Sequence, residues 1–353
     1  MKILVFGAGP LGTLMAVRLY EAGHEVTILA RNERLRQLRE HGCVIREEGA
    51  TALETARVPV TDRFAPDDAY DLVMIVMRRN HAVEIIDTLA ANAKVASFLF
   101  MVNSAAGPEE YVRALGRERV LLGFPYPGGE RDGHIMHVVP VNEAHPWTIP
   151  VGEVDGRVTD RTRAIARALG SMRGYKVQIR KDMDAWLKNH VALLMSAFAP
   201  AIYAAKIDMR RLANTRDLLV LSVRGMKEAL RGLRKTGIPF SPPSVRAILW
   251  MPEPLLVRLF ASRMRDESLR SSIEGHPRAA RDELVVLARE LLDLLHGHGV
   301  RTPICDDMFK YYDPETPPVA EGSRKIPLKW GGVVASVAAL AAIGAAVVLP
   351  FVL

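Results

Sequence analysis

The chain has 353 residues, 49% of them hydrophobic, 25% charged and 6% aromatic, with a formal net charge of +7. This composition excludes a disordered, collagenous or low-complexity chain, and the length points to two domains, because single cores rarely grow beyond about 250–300 residues. The basic excess is interleaved with acids, as in Glu33-Arg34-Leu35-Arg36-Gln37-Leu38-Arg39-Glu40, without an aromatic–basic platform, so no nucleic-acid partner is expected. Cys43 and Cys305 are too few and too far apart for a disulfide framework or a metal knuckle; a reducing compartment and no metal are expected.

Met1-Lys2 and the apolar residues after it imitate a secretory leader, but Gly7, Gly9, Pro10 and Gly12 interrupt the run, which reads as a strand and turn. Strands are predicted over Met1–Gly7, Glu25–Ala30, Asp71–Met77, Lys94–Met101 and Arg119–Gly123. Helical spacing of apolar residues fills Leu11–Ala22, Glu33–His41 and His81–Asn92. Strands alternating with helices imply a doubly wound, mostly parallel sheet. The Pro- and Gly-rich section from Pro125 to Gly152 is expected to add antiparallel strands or loops.

Gly7-Ala8-Gly9-Pro10-Leu11-Gly12 joins the first strand to the first helix. In such a Gly-x-Gly-x-x-Gly turn the first glycine permits the tight bend, the second lets backbone approach a pyrophosphate, and the third allows close helix–strand packing. The phosphate then meets free N–H groups at the positive end of the helix dipole. The second strand ends in Ala30-Arg31-Asn32, where an NAD enzyme would offer an acid to the ribose 2′-hydroxyl. Arg31 suits a 2′-phosphate instead, which predicts NADP(H).

From about Asp182 the texture becomes helical, with helices predicted over Met183–Ala205, Arg216–Thr236, Pro254–Arg265 and Pro277–His298. Residues 311–329 carry Pro314, Pro317, Pro318 and Pro327 and read as a tether. From Trp330 to Leu353 no residue is charged. At about 1.5 Å per residue such a stretch makes a helix of roughly 36 Å, enough for a bilayer core of about 30 Å. The expectation is a single C-terminal transmembrane anchor, with Arg324, Lys325 and Lys329 and the globular body on the cytoplasmic side. Ala338, Ala342 and Ala346 repeat every four residues and offer a close face for a homodimer. The expected fold is therefore α/β plus all-α: a Rossmann-like domain over 1–180, a helical domain over 181–310, the tether, and the anchor over 330–353.

The glycine turn with Gly23-His24-Glu25-Val26-Thr27-Ile28-Leu29-Ala30-Arg31, the Trp186-Leu187-Lys188 triplet, and Arg281-Asp282-Glu283 followed by Gly299-Val300-Arg301-Thr302-Pro303 resemble the ketopantoate reductase (2-dehydropantoate 2-reductase) family. The resemblance covers roughly residues 1–310 and leaves out the apolar tail. It implies NADPH-dependent reduction of a 2-oxo acid, ketopantoate to pantoate or a related compound. Lys188 would be the general acid, and Glu283 would orient the substrate and pair with Lys188. Asn103 would lie near the nicotinamide and the substrate, Ser271 and Ser196 would touch the substrate, and Arg78 stands where the family usually has a lysine. An ammonium stabilises a developing alkoxide and then protonates it, which suits Lys188 to the role.

One departure bears on the substrate. The family typically places Asn one and two turns after the lysine, and here those positions hold Ala192 and Ser196. Helical spacing of four would put Lys188, Ala192 and Ser196 on one face. A site that loses a partner for a substrate hydroxyl forfeits discrimination of roughly 10⁴-fold. The alternative reading is a membrane-tethered NADP(H)-binding sensor or scaffold without turnover.

Overall fold

The computed structural model describes residues 1–126, 128–267 and 270–330, without the side chains of 271 and 272. The chain divides into two compact units, Met1–Val191 with Ser271–Leu291, and Ala192–Arg270 with the chain from Leu292 onward.

The first unit holds strands β1 (Lys2–Phe6), β2 (Glu25–Leu29), β3 (Cys43–Glu47), β4 (Glu54–Ala56), β5 (Val60–Thr61), β6 (Leu72–Ile75), β7 (Phe98–Met101), β8 (Val120–Gly123), β9 (Gly129–Asp132), β10 (Ile135–Val138), β11 (Trp147–Glu153) and β12 (Tyr175–Ile179). Eight of them make one sheet in the order β12-β11-β8-β7-β6-β1-β2-β5. The run from β8 to β5 is parallel, and β11 lies antiparallel to β8. Ile3 and Val5 enter one core cluster while Leu4 and Phe6 enter the other, so β1 is buried on both faces. That is why it reads as a continuous apolar run rather than an alternating one. The chain winds from β1 to β2 on one side and crosses to β6 on the other, which places a topological switch point, and hence a ligand crevice, at the carboxyl ends of β1 and β6.

The Pro- and Gly-rich section divides between two sheets. β11 joins the main sheet, whereas the β9–β10 hairpin builds a separate four-stranded sheet, β4-β3-β10-β9, in which Val44 pairs with Ile135. Helices α1 (Pro10–Glu21), α2 (Asn32–His41), α3 (Arg79–Glu84), α4 (Ile86–Ala90), α5 (Glu109–Leu115) and α6 (Asp160–Gly170) complete the βα part. α6 starts on a reciprocal cap, in which Thr159 Oγ1 accepts from the N–H of Thr162 and Thr162 Oγ1 accepts from the N–H of Thr159.

Helix α7 (Met183–Leu194) is shorter than predicted: residues 195–197 form a turn and α8 (Phe198–Ala204) begins after it. Pro200 thereby falls in the first turn of α8, where a missing N–H costs no helical hydrogen bond. The second unit continues with α9 (Met209–Asn214), α10 (Arg216–Lys235), α11 (Arg246–Trp250) and α12 (Glu253–Arg263). The helix predicted from Pro277 is two helices, α13 (Arg270–Ala279), which keeps Pro277 in its last turn, and α14 (Arg281–Gly297); α15 (Pro303–Phe309) follows.

The stretch read as a tether lies along the second unit as a strap. Val319 N–H donates to Ala204 O at 3.0 Å, Lys325 and Ile326 N–H donate to Asp217 at 2.9 Å, and Lys329 N–H donates to Glu253 at 2.9 Å. No helix among the described residues is long and apolar enough to cross a membrane. The 20-residue α10 shows why, since Arg216, Asp217, Arg224, Lys227, Glu228, Arg231, Arg234 and Lys235 punctuate it. This corrects the transmembrane part of the expected fold class and, with it, the expected membrane partner and membrane localisation, while the Rossmann-like and helical parts stand. Trp330 follows the strap, and residues 331–353, with Ala338, Ala342 and Ala346, lie outside the described residues.

Candidate active site

Gly7 leaves β1 with φ +123°, and a Cβ there would stand 2.3 Å from the carbonyl oxygen of Val76, just past β6. A Cβ on Gly12 would stand 1.9 Å from the carbonyl oxygen of Gly7. Both glycines are therefore required by the packing at the switch point. Gly9 is different, because a Cβ there would meet nothing within 4 Å. Gly9 is the N-cap of α1 and supplies no side-chain cap, and Pro10 opens the helix ahead of Leu11. Open space in front of uncapped N–H groups fits a pyrophosphate.

The turn is held from behind by Arg34, a buried residue of α2. Its guanidinium donates to Ala8 O at 2.9 Å, Thr13 Oγ1 at 3.1 Å and His134 O at 3.2 Å. Sequence reasoning missed this role, because the helical pattern carries no sign that one of several arginines in α2 is buried. Arg31, at the N-cap of α2, is exposed, with its guanidinium 5.9 Å from the centroid of the Phe6 ring. The cation is thus free to meet a phosphate near the end of β2.

The remaining candidates gather beyond β6 and β7. Arg78, the N-cap of α3, donates to Asp282 at 3.0 Å and to the carbonyl of Ala279. Asn80 donates to the same Asp282 at 2.9 Å. Burial acts to raise the pKa of Asp282, but the Asn80 hydrogen bond and the Arg78 charge outweigh it and hold the carboxyl below its ordinary range. Glu283 is buried; its Oε1 accepts from the N–H of Arg79 at 3.0 Å and its Oε2 lies 2.9 Å from Nε2 of His276. Asn103 follows β7, and its Oδ1 is buried without a hydrogen-bond partner among the described residues, an acceptor suited to a bound carboxamide or hydroxyl.

Lys188 has a side chain only 9% exposed, and Nζ donates to Asp184 Oδ2 at 2.6 Å. A Cβ on Gly107, in the Asn103 loop, would stand 2.4 Å from Glu109 Oε2 and 3.2 Å from Nζ, so the glycine leaves room for the Glu109 carboxylate and the ammonium together. The expected Lys188–Glu283 pair is therefore not formed: Lys188 is bound to Asp184, and Glu283 to Arg79 and His276. Asp184 was legible in principle, being one helical turn before the lysine. His276 was not, because it reaches Glu283 from the preceding helix.

His190, also not anticipated, stacks on Trp186 with centroids 5.2 Å apart and meets Phe124 at a tilt, with centroids 4.5 Å apart. Burial, aided by the nearby His276, pushes its imidazole down to about 4. Ser196 lies past the end of α7, and its hydroxyl donates to Ala192 O at 2.6 Å. Ser271 belongs to α13, and its side chain lies outside the described residues.

The family model described as ketopantoate reductase PanE/ApbA matches residues 3–144. The chain is 26% identical to a 2-dehydropantoate 2-reductase of Mesorhizobium japonicum over 265 residues, 65% of this chain and 77% of that protein. It is 24% identical to a 2-dehydropantoate 2-reductase of Archaeoglobus fulgidus over 245 residues, 69% and 77% of the two chains. An uncharacterized oxidoreductase of Bacillus subtilis is 24% identical over 282 residues, 78% and 88%. Among solved structures, a 2-dehydropantoate 2-reductase from Geobacter metallireducens shares the fold with a TM-score of 0.71 at 16% identity, over 90% of this chain and 100% of that one. D-mandelate dehydrogenase, solved with NADH and anilino(oxo)acetate, shares it with a TM-score of 0.69 at 14% identity, over 88% and 97%. The glycine turn at the switch point lies inside the stretch that the ketopantoate reductase model matches, so residues 3–144 are similar to that family and the whole chain shares the fold of its solved members.

Proposed function

We propose that the protein is an NADPH-dependent reductase of a 2-oxo acid, with Lys188 as the general acid. The observation that carries this reading is the Lys188 ammonium, nearly buried, against Gly107 in the loop that presents the unpartnered oxygen of Asn103. NADPH, when bound, supplies the hydride to the carbonyl carbon and leaves as NADP⁺. The chain's residues do the rest. The uncapped N-terminus of α1 receives the pyrophosphate, and Arg31 receives the 2′-phosphate. Asp184 steadies Nζ of Lys188 from one side, and the ammonium gives its proton to the carbonyl oxygen as the C=O bond becomes CH–OH. Lys188 then recovers a proton from solvent. Glu283, held at both oxygens, orients the substrate.

Ala192 offers no hydrogen bond through its side chain, and the Ser196 hydroxyl hydrogen is committed to a backbone carbonyl. These residue types, in place of the asparagines usual in the family, are the reason that 2-oxo acids other than ketopantoate belong in the assay. The test is NADPH oxidation by the full chain against ketopantoate and a panel of apolar and aromatic 2-oxo acids. Lys188→Ala is expected to lower kcat by about 10²–10⁴-fold, the range for a lost general acid, with NADPH affinity unchanged. Absence of turnover with every 2-oxo acid, in protein that binds NADPH, would remove this reading.

A further inference from the structure

The side chains of Arg79 and Glu290 stand outside the roles assigned so far, yet they form a densely hydrogen-bonded cluster beside the site. Arg79 is 3% exposed. Its Nε donates to Glu290 Oε1 at 2.9 Å, one terminal nitrogen donates to the Tyr111 hydroxyl at 2.9 Å, and the other donates to Glu110 at 3.2 Å. Glu290 uses its second oxygen differently: Oε2 accepts from the N–H groups of Ala105 and Ala106 at 3.0 and 3.1 Å. Those amides belong to the loop that carries Asn103 and Gly107. The N–H of Arg79 is also the donor that holds Glu283 Oε1. Glu283 and Glu290 are seven residues apart, two turns of α14, so they project from the same face of that helix.

A buried guanidinium requires compensation of its charge, and an isolated carboxylate at one end would supply it. Glu290 does more than neutralise, because it accepts one hydrogen bond from the side chain beyond β6 and two from the backbone beyond β7. We infer that Arg79 and Glu290 are a positioning pair: together they set the distance between the Glu283 carboxylate and the Asn103 loop, and through that loop the place of the Lys188 ammonium. Neither residue touches the substrate. This rests on the reading of Glu283, Asn103 and Lys188 as the reductase site.

The discriminating substitution is Glu290→Gln. An amide has one acceptor oxygen, so it satisfies either Arg79 or the loop amides but not both, and its NH₂ faces a donor on the other side. The full-length variant is expected to melt near the wild type and to bind NADPH within about twofold, since the glycine turn is untouched. Exchange of the Ala105 and Ala106 amides should accelerate at least tenfold. Misplacement by about 1 Å costs up to roughly 10²-fold in rate, so kcat with the best 2-oxo acid should fall by about 10–100-fold while its KM moves far less. Arg79→Lys, which keeps the charge and loses the fork, should behave like Glu290→Gln, and the double variant should be no worse than either single one.

Unchanged exchange at Ala105 and Ala106, or accelerated exchange with full kcat, would overturn the proposal. A loss carried entirely by weaker NADPH binding would overturn it as well. If Glu290→Gln does not fold, Tyr111→Phe removes only the hydroxyl that accepts from Arg79 and is read in the same way, with a smaller loss of kcat. A wild type that turns over no 2-oxo acid removes the reductase reading, while the exchange data still decide whether Glu290 orders the loop.

Discussion

Arg31 sits, exposed, at the carboxyl end of β2 with the Phe6 ring beside it. A charge-assisted hydrogen bond contributes about 1.5–3 kcal/mol, so Arg31→Ala is expected to weaken NADPH binding by roughly 10–150-fold and NADH binding by about twofold at most. Fluorescence titration of both cofactors checks this, and equal losses would take the 2′-phosphate away from Arg31. Lys188 shows a second residue-scale lesson. Its motif singles it out as a candidate, and its partner is the acid one turn earlier on its own helix rather than Glu283. A buried ammonium takes the nearest carboxylate that its rotamer can reach, and Asp184 satisfies that condition within α7. Glu283 turns to a backbone N–H and an imidazole because those are the donors that α3 and α13 bring to it.

At the scale of elements, the strap is the clearest case in which composition misleads. Four prolines between 314 and 327 lower the helical tendency of the segment, and they do not make it a free linker. The N–H groups that the prolines leave available at Lys325, Ile326 and Lys329 are taken up by acids at the starts of α10 and α12. Burial alone would raise the pKa of Asp217, but hydrogen bonds from Ser323, Ile326 and Lys325 hold it below the ordinary value of 3.8. A carboxylate with a depressed folded pKa contributes stability that is complete above its unfolded value and is lost as pH falls through the folded one. Protection of the Lys325 and Ile326 amides is therefore expected to be constant from neutral pH to about pH 5 and to fall below about pH 4. Hydrogen exchange across that range tests it, and Asp217→Asn should remove the pH dependence.

For the molecule as a whole, the glycine turn, Arg31, Lys188 and Glu283 all lie within the first unit, Met1–Val191 with Ser271–Leu291. A ligand that binds only the folded state stabilises it by about 2.7 kcal/mol when present at 100 times its Kd. NADPH is therefore expected to raise the melting temperature of the full chain by several degrees and to slow exchange chiefly at the amides around the glycine turn and the Asn103 loop. Protection confined to the second unit would contradict the site's assignment.

Much of this was readable in advance, for reasons that differ from residue to residue. The strand from Lys2 was visible because a strand covered on both faces is an unbroken apolar run, and the glycine turn because its sterics act over six residues. Lys188 was visible through a short motif. The pairing of Val44 with Ile135, the helix break at residues 195–197 and the burial of Arg34 were not, since no local pattern distinguishes them. Helical and strand periodicity and turn sterics are short-range properties, and they were enough for the Rossmann-like and helical parts of the fold and for the glycine turn. Which carboxylate meets which cation was settled only by folding. The Arg79–Glu290 pair spans 211 positions, and the contact exists because sheet order and helix packing bring the carboxyl ends of β6 and β7 and the middle of α14 within hydrogen-bond reach.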